Sequence, residues 1–190
     1  MRIVWTIAAR ELRSYLSSPV AWAVTSLFLM MFGGFFWIFL ADFASTSTQF
    51  YQYMGDPAYA EMLSEVNLNG WVLRPLFGNT QILFLLPVPA LTMRLFSEEK
   101  KQGTYEFLLT SPLTVAQLVA GKYLAALAMI GILLLCSGVF PATLYLVGSP
   151  ETSSILTGYL GLLLLGGAFV AVGTFASSVT ENQIIAAVLT

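Results

Sequence analysis

A cluster of charged residues lies between Arg94 and Lys122. Their side chains could form ion pairs with another molecule at the protein surface. Glu98 to Lys101 are four consecutive charges, and an apolar patch follows them, made of Tyr105, Phe107, Leu108 and Leu109. Neighbouring carboxylates and ammonium groups can pair with complementary charges on a second protein. Two interpretations stay open: a docking surface for a cytosolic partner, and an ordinary solvated loop with a charge cluster.

Signals for helix boundaries surround this cluster. Gly103 predicts a break after a short charged helix. Ser111-Pro112 is typical of an N-cap followed by proline at the first helical position. Thr114 to Gln117 alternatively matches a capping box. Either signal predicts a second helix that runs into the next apolar segment.

The first fifteen residues predict a second charged element, an amphipathic helix along the inner membrane face. At about 100° per residue, its basic residues fall in one narrow sector, together with Thr6: Arg2, Arg10 and Arg13. Glu11 breaks the pattern because it falls on the apolar side. Either it meets a partner or a basic side chain above the membrane, or it snorkels or pairs locally with Arg10 or Arg13.

Several kinds of site are excluded by the residues that this sequence lacks. It has no histidine and one cysteine, Cys136, so histidine-dependent nucleophilic sites and multi-cysteine metal sites are out. No P-loop pattern is present. The net charge of −2 offers no bulk attraction for nucleic acid. We therefore expect no catalytic, cofactor-binding or metal residues, and Cys136 is predicted to be a small buried side chain.

The composition predicts a membrane protein, since 57% of the residues are hydrophobic and only 9% are charged, against about 25% in soluble domains. Four windows of 19 to 29 residues carry no charge. Because a spanning helix needs about 20 apolar residues, we predict an all-α transmembrane bundle with four complete spans, at 20–41, 75–95, 120–146 and 155–177. Lys122 lies near enough to the inner end of its span to snorkel out of the membrane.

The remaining segments connect these spans within a single transmembrane domain, residues 1–190. They are an interfacial helix at 1–16, an outer loop at 42–74, an inner loop at 96–119 and the start of a fifth span at 182–190. Since the chain stops inside that fifth apolar segment, we expect a fragment. Seven of the eight basic residues fall on one side, which predicts a cytoplasmic N-terminus.

Two of the spans carry residues that predict special packing. Pro87 and Pro89 predict a kink or an unwound turn in the second span. In the fourth span, Gly167 and Ala171 form a pair of small residues at helical spacing, and Thr174 and Ser178 continue that face. Such a stripe lets another helix approach closely. No charged side chain lies deep in any span, which argues against an ion-driven transporter.

The stretch from Arg94 to Leu113, continuing to Gly121-Lys122, resembles the inner loop of ABC-2 type permeases, the membrane subunits of ATP-binding cassette exporters. The N-terminal stretch from Arg10 to Pro19 is similar to the opening of the same family. Within it, the sequence is most similar to the gliding-motility and nitrous-oxide-accessory permeases. The resemblance covers the whole chain in order.

This resemblance implies a function and partners. The chain would be a permease subunit in a prokaryotic plasma membrane, paired with a second permease subunit, with ATP hydrolysed on a separate cytosolic ATPase. The inner loop would couple to that ATPase through Glu98, Glu99, Lys100, Lys101, Gly103, Thr104 and Glu106. The interfacial helix would flank the same contact with Arg10, Glu11 and Arg13.

Two rival functions stay open beside the permease. A membrane scaffold would recruit a cytosolic partner through the inner loop without moving any substrate. An intramembrane enzyme is disfavoured, because no histidine and no intramembrane charged pair offer acid–base chemistry. The spans show no charged pocket, which favours a hydrophobic or polymeric cargo, or force transmission to an outer partner.

Overall fold

The computed structural model describes residues 2–51, 67–97, 100, 103 and 114–190. In this part of the chain every regular element is helical, as predicted. A π-helical turn, Asn69–Leu73, precedes the third of eight α-helices. The helices are α1 Arg2–Ser17, α2 Pro19–Tyr51, α3 Arg74–Leu83, α4 Pro87–Thr92, α5 Val115–Ser137, α6 Val139–Val147, α7 Thr152–Val179 and α8 Gln183–Leu189.

Among the described residues, three helical stretches are long and apolar enough to cross a membrane: Pro19–Gln49, Val115–Val147 and Thr152–Val179. The predicted second span, 75–95, is instead divided into α3, of ten residues, and α4, of six. The turn between them, Phe84 to Leu86, ends at Pro87. Pro87 and Pro89 have no N–H to donate, so the hydrogen-bond pattern of the helix is interrupted here. The interruption lies where these prolines predict it.

The helix α2 is longer than the predicted first span, 20–41, because it continues to Tyr51. The first ten residues of the predicted outer loop, 42–51, are therefore helical. No glycine or proline interrupts this polar stretch. The hydroxyl groups of Ser45 and Thr48 donate to the carbonyl oxygens of Asp42 and Ala44 at 2.9 and 2.7 Å, respectively. These hydroxyls thus bond within the helix rather than competing with it.

The third apolar segment also bends within its length. Helices α5 and α6 meet at Gly138, whose N–H contacts the carbonyl oxygens of Leu134 and Leu135, both at 3.1 Å. Pro141 lies four residues after Ser137 and cannot donate to its carbonyl oxygen. The missing bond accounts for the interruption at this point.

The core of the bundle is built from aromatic rings on three elements. Phe28 and Phe32 of α2 stack with their ring centroids 5.9 Å apart, and Phe28 also stacks on Phe84 at 6.1 Å. Phe140 of α6 lies 5.7 Å from Phe32. Its ring occupies the space that a side chain at Gly33 would need, since a Cβ there would lie 2.7 Å from Phe140. Glycine at position 33 therefore lets α6 reach α2.

The small residues of α7 pack differently from the predicted stripe. Gly167 and Thr174 are buried, but Ala171 and Ser178 are exposed. The helix instead packs through a face that includes Gly166 and Gly173, and a Cβ on Gly166 would lie 2.9 Å from Ile130 of α5. The close approach is therefore to helices of the same chain.

Two other local predictions are resolved by the structure. Cys136 is exposed on α5, so its predicted burial is wrong. Leu135 beside it is also exposed, which places both on the outward face of the helix. The predicted start of a fifth span, 182–190, contains α8, which begins after Asn182. The Asn182 side chain accepts from the N–H of Ile184 at 2.9 Å.

Candidate functional site

The amphipathic helix α1 packs directly on α5 through its apolar face. Ile7 and Ala8 are buried, while Arg2, Arg10 and Arg13 are exposed, as the helical periodicity predicts. The contact is close because Gly121 of α5 has no side chain. A Cβ at this position would lie 2.7 Å from a methyl carbon of Ile7.

Glu11 forms ion pairs in two directions. Its Oε1 lies 3.0 Å from Nη2 of Arg10 and 3.4 Å from Nζ of Lys122 on α5. The sequence left two partners open for Glu11, a neighbouring arginine and a basic side chain elsewhere. The structure shows both, Arg10 and Lys122. Lys122 does not snorkel, because its side chain is only 2% exposed. Burying this ammonium is costly unless it is paired, and Glu11 of α1 supplies the opposite charge.

A ring and a hydroxyl complete this arrangement, which we call the inner cluster and define by Glu11, Tyr15, Phe96 and Lys122. Nζ of Lys122 lies 5.3 Å from the ring centroid of Phe96, within the range of a cation–π contact. The hydroxyl of Tyr15 donates to the carbonyl oxygen of Leu91 at 3.0 Å. Burial raises the pKa of Tyr15, and the carboxylate of Glu11 raises it further. The cluster joins α1, α5 and the segment that enters the inner loop.

The first residues of the inner loop are bonded to the end of α7. The N–H groups of Phe96 and Ser97 both donate to the hydroxyl oxygen of Ser177, at 3.0 and 3.2 Å. Nζ of Lys100 donates to the carbonyl oxygen of Ser178 at 2.5 Å. Ser177 is fully buried. The Ser177 hydroxyl therefore accepts from two backbone N–H groups that lie beyond the end of α4 and have no partner within that helix.

The helix α5 begins inside the predicted inner loop, 96–119, because Thr114 caps it and Val115 is its first residue. The side chain of Thr114 accepts from the N–H of Gln117, and the N–H of Thr114 donates to the Gln117 side chain, both at 3.3 Å. This reciprocal pair is the predicted capping box. Ser111 and Pro112, the alternative start, lie outside the described residues.

The structure describes only part of the predicted coupling loop. Lys100 is bonded to α7, and Gly103 has a φ of 69°, a left-handed conformation that glycine adopts readily. The other predicted contacts lie outside the described residues: Glu98, Glu99, Lys101, Thr104 and Glu106. On α1, Glu11 reaches the inner cluster, whereas Arg10 and Arg13 are exposed.

Sequence reasoning did not identify the contacts that Ser177 and Lys122 make at the entrance to the inner loop. Ser177 is not part of the predicted stripe of small residues, and Lys122 was interpreted as a charge near the inner end of its span. The sequence did contain a signal for the contact of Lys122. Glu11 and Lys122 each interrupt an otherwise apolar face near the same end of the bundle. Opposite charges placed this way can pair across helices.

A comparison with known proteins gives the family of this chain. The model of the ABC-2 family transporter protein matches residues 5–190. No curated protein and no solved structure matches the chain. The match spans the interfacial helix, the three membrane-spanning helices and the inner cluster between them. This chain belongs to the ABC-2 family of transporter membrane proteins.

Proposed function

We propose that this chain is the permease subunit of an ATP-driven exporter, with ATP bound and hydrolysed on a separate cytosolic subunit. The permease works as a dimer in the plasma membrane of a prokaryote, with its N-terminus in the cytoplasm. The gliding-motility and nitrous-oxide-accessory subgroup fits its motifs best. A lipid-like, hydrophobic or polymeric cargo, or force transmission to an outer partner, fits predicted spans that carry no charge deep in the membrane.

The observation that carries this proposal is the bonding of the inner loop at both of its ends. At one end, Ser177 accepts from the N–H groups of Phe96 and Ser97. At the other end, Thr114 caps α5. A partner that displaces the loop therefore acts on α5 and α7 together, because both helices are bonded to the ends of the loop.

The inner cluster extends the same mechanical connection to α1. Lys122 contacts Glu11 of α1 and the Phe96 ring at the entrance to the loop. An ATPase that docks on the loop and beside α1 meets elements already joined to one another. The ATPase drives the permease because it binds two conformations of the permease with different affinities. Only such a difference in affinity can shift the equilibrium between them.

Charge reversal in the loop tests this proposal. The tagged chain is purified from membranes of its own host, and the ATPase that accompanies it is quantified by mass spectrometry. We expect E98K/E99K to reduce ATPase recovery at least tenfold, because opposed charges steer and fix such contacts. E61K/E65K is the matched control, since it reverses two glutamates in the segment assigned to the outer side.

The result has clear alternatives. Recovery of a P-loop ATPase with the wild type and with E61K/E65K, but not with E98K/E99K, supports the permease. Equal recovery with both double variants refutes the docking assignment. Absence of any ATPase from the wild-type preparation refutes the permease function itself.

A further inference from the structure

A groove opens at the end of the bundle opposite the inner cluster, between the start of α3 and the start of α7. It encloses about 480 Å³, and its lining includes Asn69, Arg74, Phe77, Ser154, Thr157 and Gly158. Polar side chains and apolar ones, Leu73 and Phe77, line it together. The Phe77 ring lies against Gly158, where a side chain would collide with it. The glycine thus lets the ring line the groove.

Arg74 supplies a positive charge to this groove. Its side chain is exposed, and within the described part of the chain it makes no ion pair and no hydrogen bond. A guanidinium presents paired N–H donors that match two oxygens of a phosphate. The groove therefore offers a planar donor group directed by a helix that begins at the same residue.

Glu151 supplies a negative charge next to the same groove, because its carboxylate is bonded to two residues that line the groove, Ser154 and Asn69. Its carboxylate accepts from the hydroxyls of Ser154 and Ser153, at 2.8 and 2.9 Å, and from the side-chain amide of Asn69 at 3.3 Å. The hydrogen bonds from Ser154 and Ser153 lower the pKa of this carboxyl group, so it stays ionised at neutral pH. Asn69 also accepts from the Glu151 N–H at 3.2 Å.

Two glycines leave open space beside the groove, on the side toward the middle of the membrane. Gly78 lies one turn after Arg74 on α3, and Gly161 lies one turn after Thr157 on α7. A Cβ added at either glycine would meet nothing within 4 Å. Ile82, a further turn along α3, is 65% exposed. A hydrocarbon chain that starts at the groove can follow this glycine-lined surface.

We propose that this groove binds a phospholipid whose headgroup carries a primary ammonium, with the phosphate on Arg74 and the ammonium on Glu151. The acyl chain lies along the surface beside Gly78 and Gly161. Opposite fixed charges at one groove complement a zwitterion better than an anion, because an anionic headgroup brings no cation to Glu151 and its phosphate is repelled by that carboxylate. A primary ammonium also donates hydrogen bonds to a carboxylate, which a quaternary choline group cannot do.

The test measures lipid retention by native mass spectrometry after exchange into vesicles of defined composition. The probes are phosphatidylethanolamine, phosphatidylcholine and phosphatidylglycerol, each with the same acyl chains. We expect the wild type to retain the ethanolamine lipid about tenfold more strongly than the other two. R74Q should reduce retention of all three lipids, whereas R2Q, an exposed arginine at the other end of the bundle, should not.

Two further variants separate the parts of the proposal. E151Q should abolish the preference for ethanolamine over choline while phosphate-dependent retention persists. G161L fills the surface beside the groove and should weaken retention about tenfold. G34L is its control, because Gly34 also has open space around it. Thermal unfolding of each variant confirms that the bundle is intact.

Two results would overturn the proposal. The first is equal retention of the three lipids by the wild type. The second is wild-type retention of the ethanolamine lipid by both R74Q and G161L. Neither result bears on the ATPase contact, so this proposal and the permease function can fail independently.

Discussion

The ion pair between Glu11 and Lys122 is the contact whose removal we expect to be most costly. Its atoms are 3.4 Å apart, and the two side chains are 18% and 2% exposed, respectively. At an effective dielectric constant of about 20, two unit charges at this distance attract by about 5 kcal/mol. Desolvation of both groups offsets much of that attraction. Breaking a buried pair from one side nevertheless costs about 3–5 kcal/mol, because one charge stays buried.

The exposure of the two partners predicts which single change costs more. E11Q removes the carboxylate from a lysine that is 2% exposed, so we expect a loss of about 3–5 kcal/mol. K122M leaves a carboxylate that is more exposed and also contacts Arg10, so its cost should be nearer to 2 kcal/mol. The double variant E11Q/K122M should lose less than the sum of the two, since neither charge remains.

The assay is reversible unfolding of the purified chain in mixed micelles of dodecyl maltoside and sodium dodecyl sulfate, followed by tryptophan fluorescence. R10Q is the control, because Arg10 forms the other ion pair of Glu11. Arg10 is closer to Glu11, at 3.0 Å, but its side chain is 64% exposed. Exposed pairs contribute only about 0–1 kcal/mol. A coupling energy below about 0.5 kcal/mol in the double-variant cycle, or an R10Q cost equal to that of E11Q, would refute this reasoning.

Three further predictions concern other contacts. G121A should destabilise the protein by about 1–3 kcal/mol in the same unfolding assay, because its methyl group meets Ile7. G131A is the control, since Gly131 has open space around it. It should leave the free energy of unfolding unchanged or raise it by up to about 1 kcal/mol. S177A should cost about 1–3 kcal/mol and speed amide hydrogen exchange at the entrance to the inner loop, since two N–H groups lose their acceptor; unchanged exchange would contradict this role. The pKa of Glu151 is lowered by serine hydroxyls, so its contribution to stability should be complete at neutral pH and decline as the pH falls through the folded-state pKa. Carbon-13 NMR of labelled glutamate should show Glu151 titrating at a lower pH in the wild type than in S153A/S154A.

The sequence predicted the helical class and the positions of the long helices, because charge-free windows and the solvent requirements of a membrane leave few alternatives. It also predicted the break before Pro87, and the capping box at Thr114 as one of two helix starts, since both depend on residues close together in the sequence. The boundaries were less accurate. Polar residues after Ala41 suggested a loop, but a polar stretch without glycine or proline can continue a helix, as α2 does to Tyr51.

The side-chain partners could not be predicted in the same way. Whether Lys122 snorkels or pairs depends on where α1 lies, and that position depends on the fit of Ile7 against Gly121. The packed face of α7 likewise depends on its neighbours, so small residues at helical spacing indicated close packing but selected the wrong members, Ala171 and Ser178. Periodicity identifies a face, and tertiary contacts decide which part of it is covered.

The length of α2 has a consequence for whatever meets this protein on the side away from α1. Thirty-three residues at about 1.5 Å each form a rod of about 50 Å, while the hydrocarbon layer is about 30 Å thick. Matching the apolar stretch up to Ala41 to that layer leaves ten helical residues, about 15 Å, above it. The helix therefore continues beyond the hydrocarbon layer into the headgroup region. A molecule that contacts the last turn of this helix can approach it from water, without entering the hydrocarbon layer.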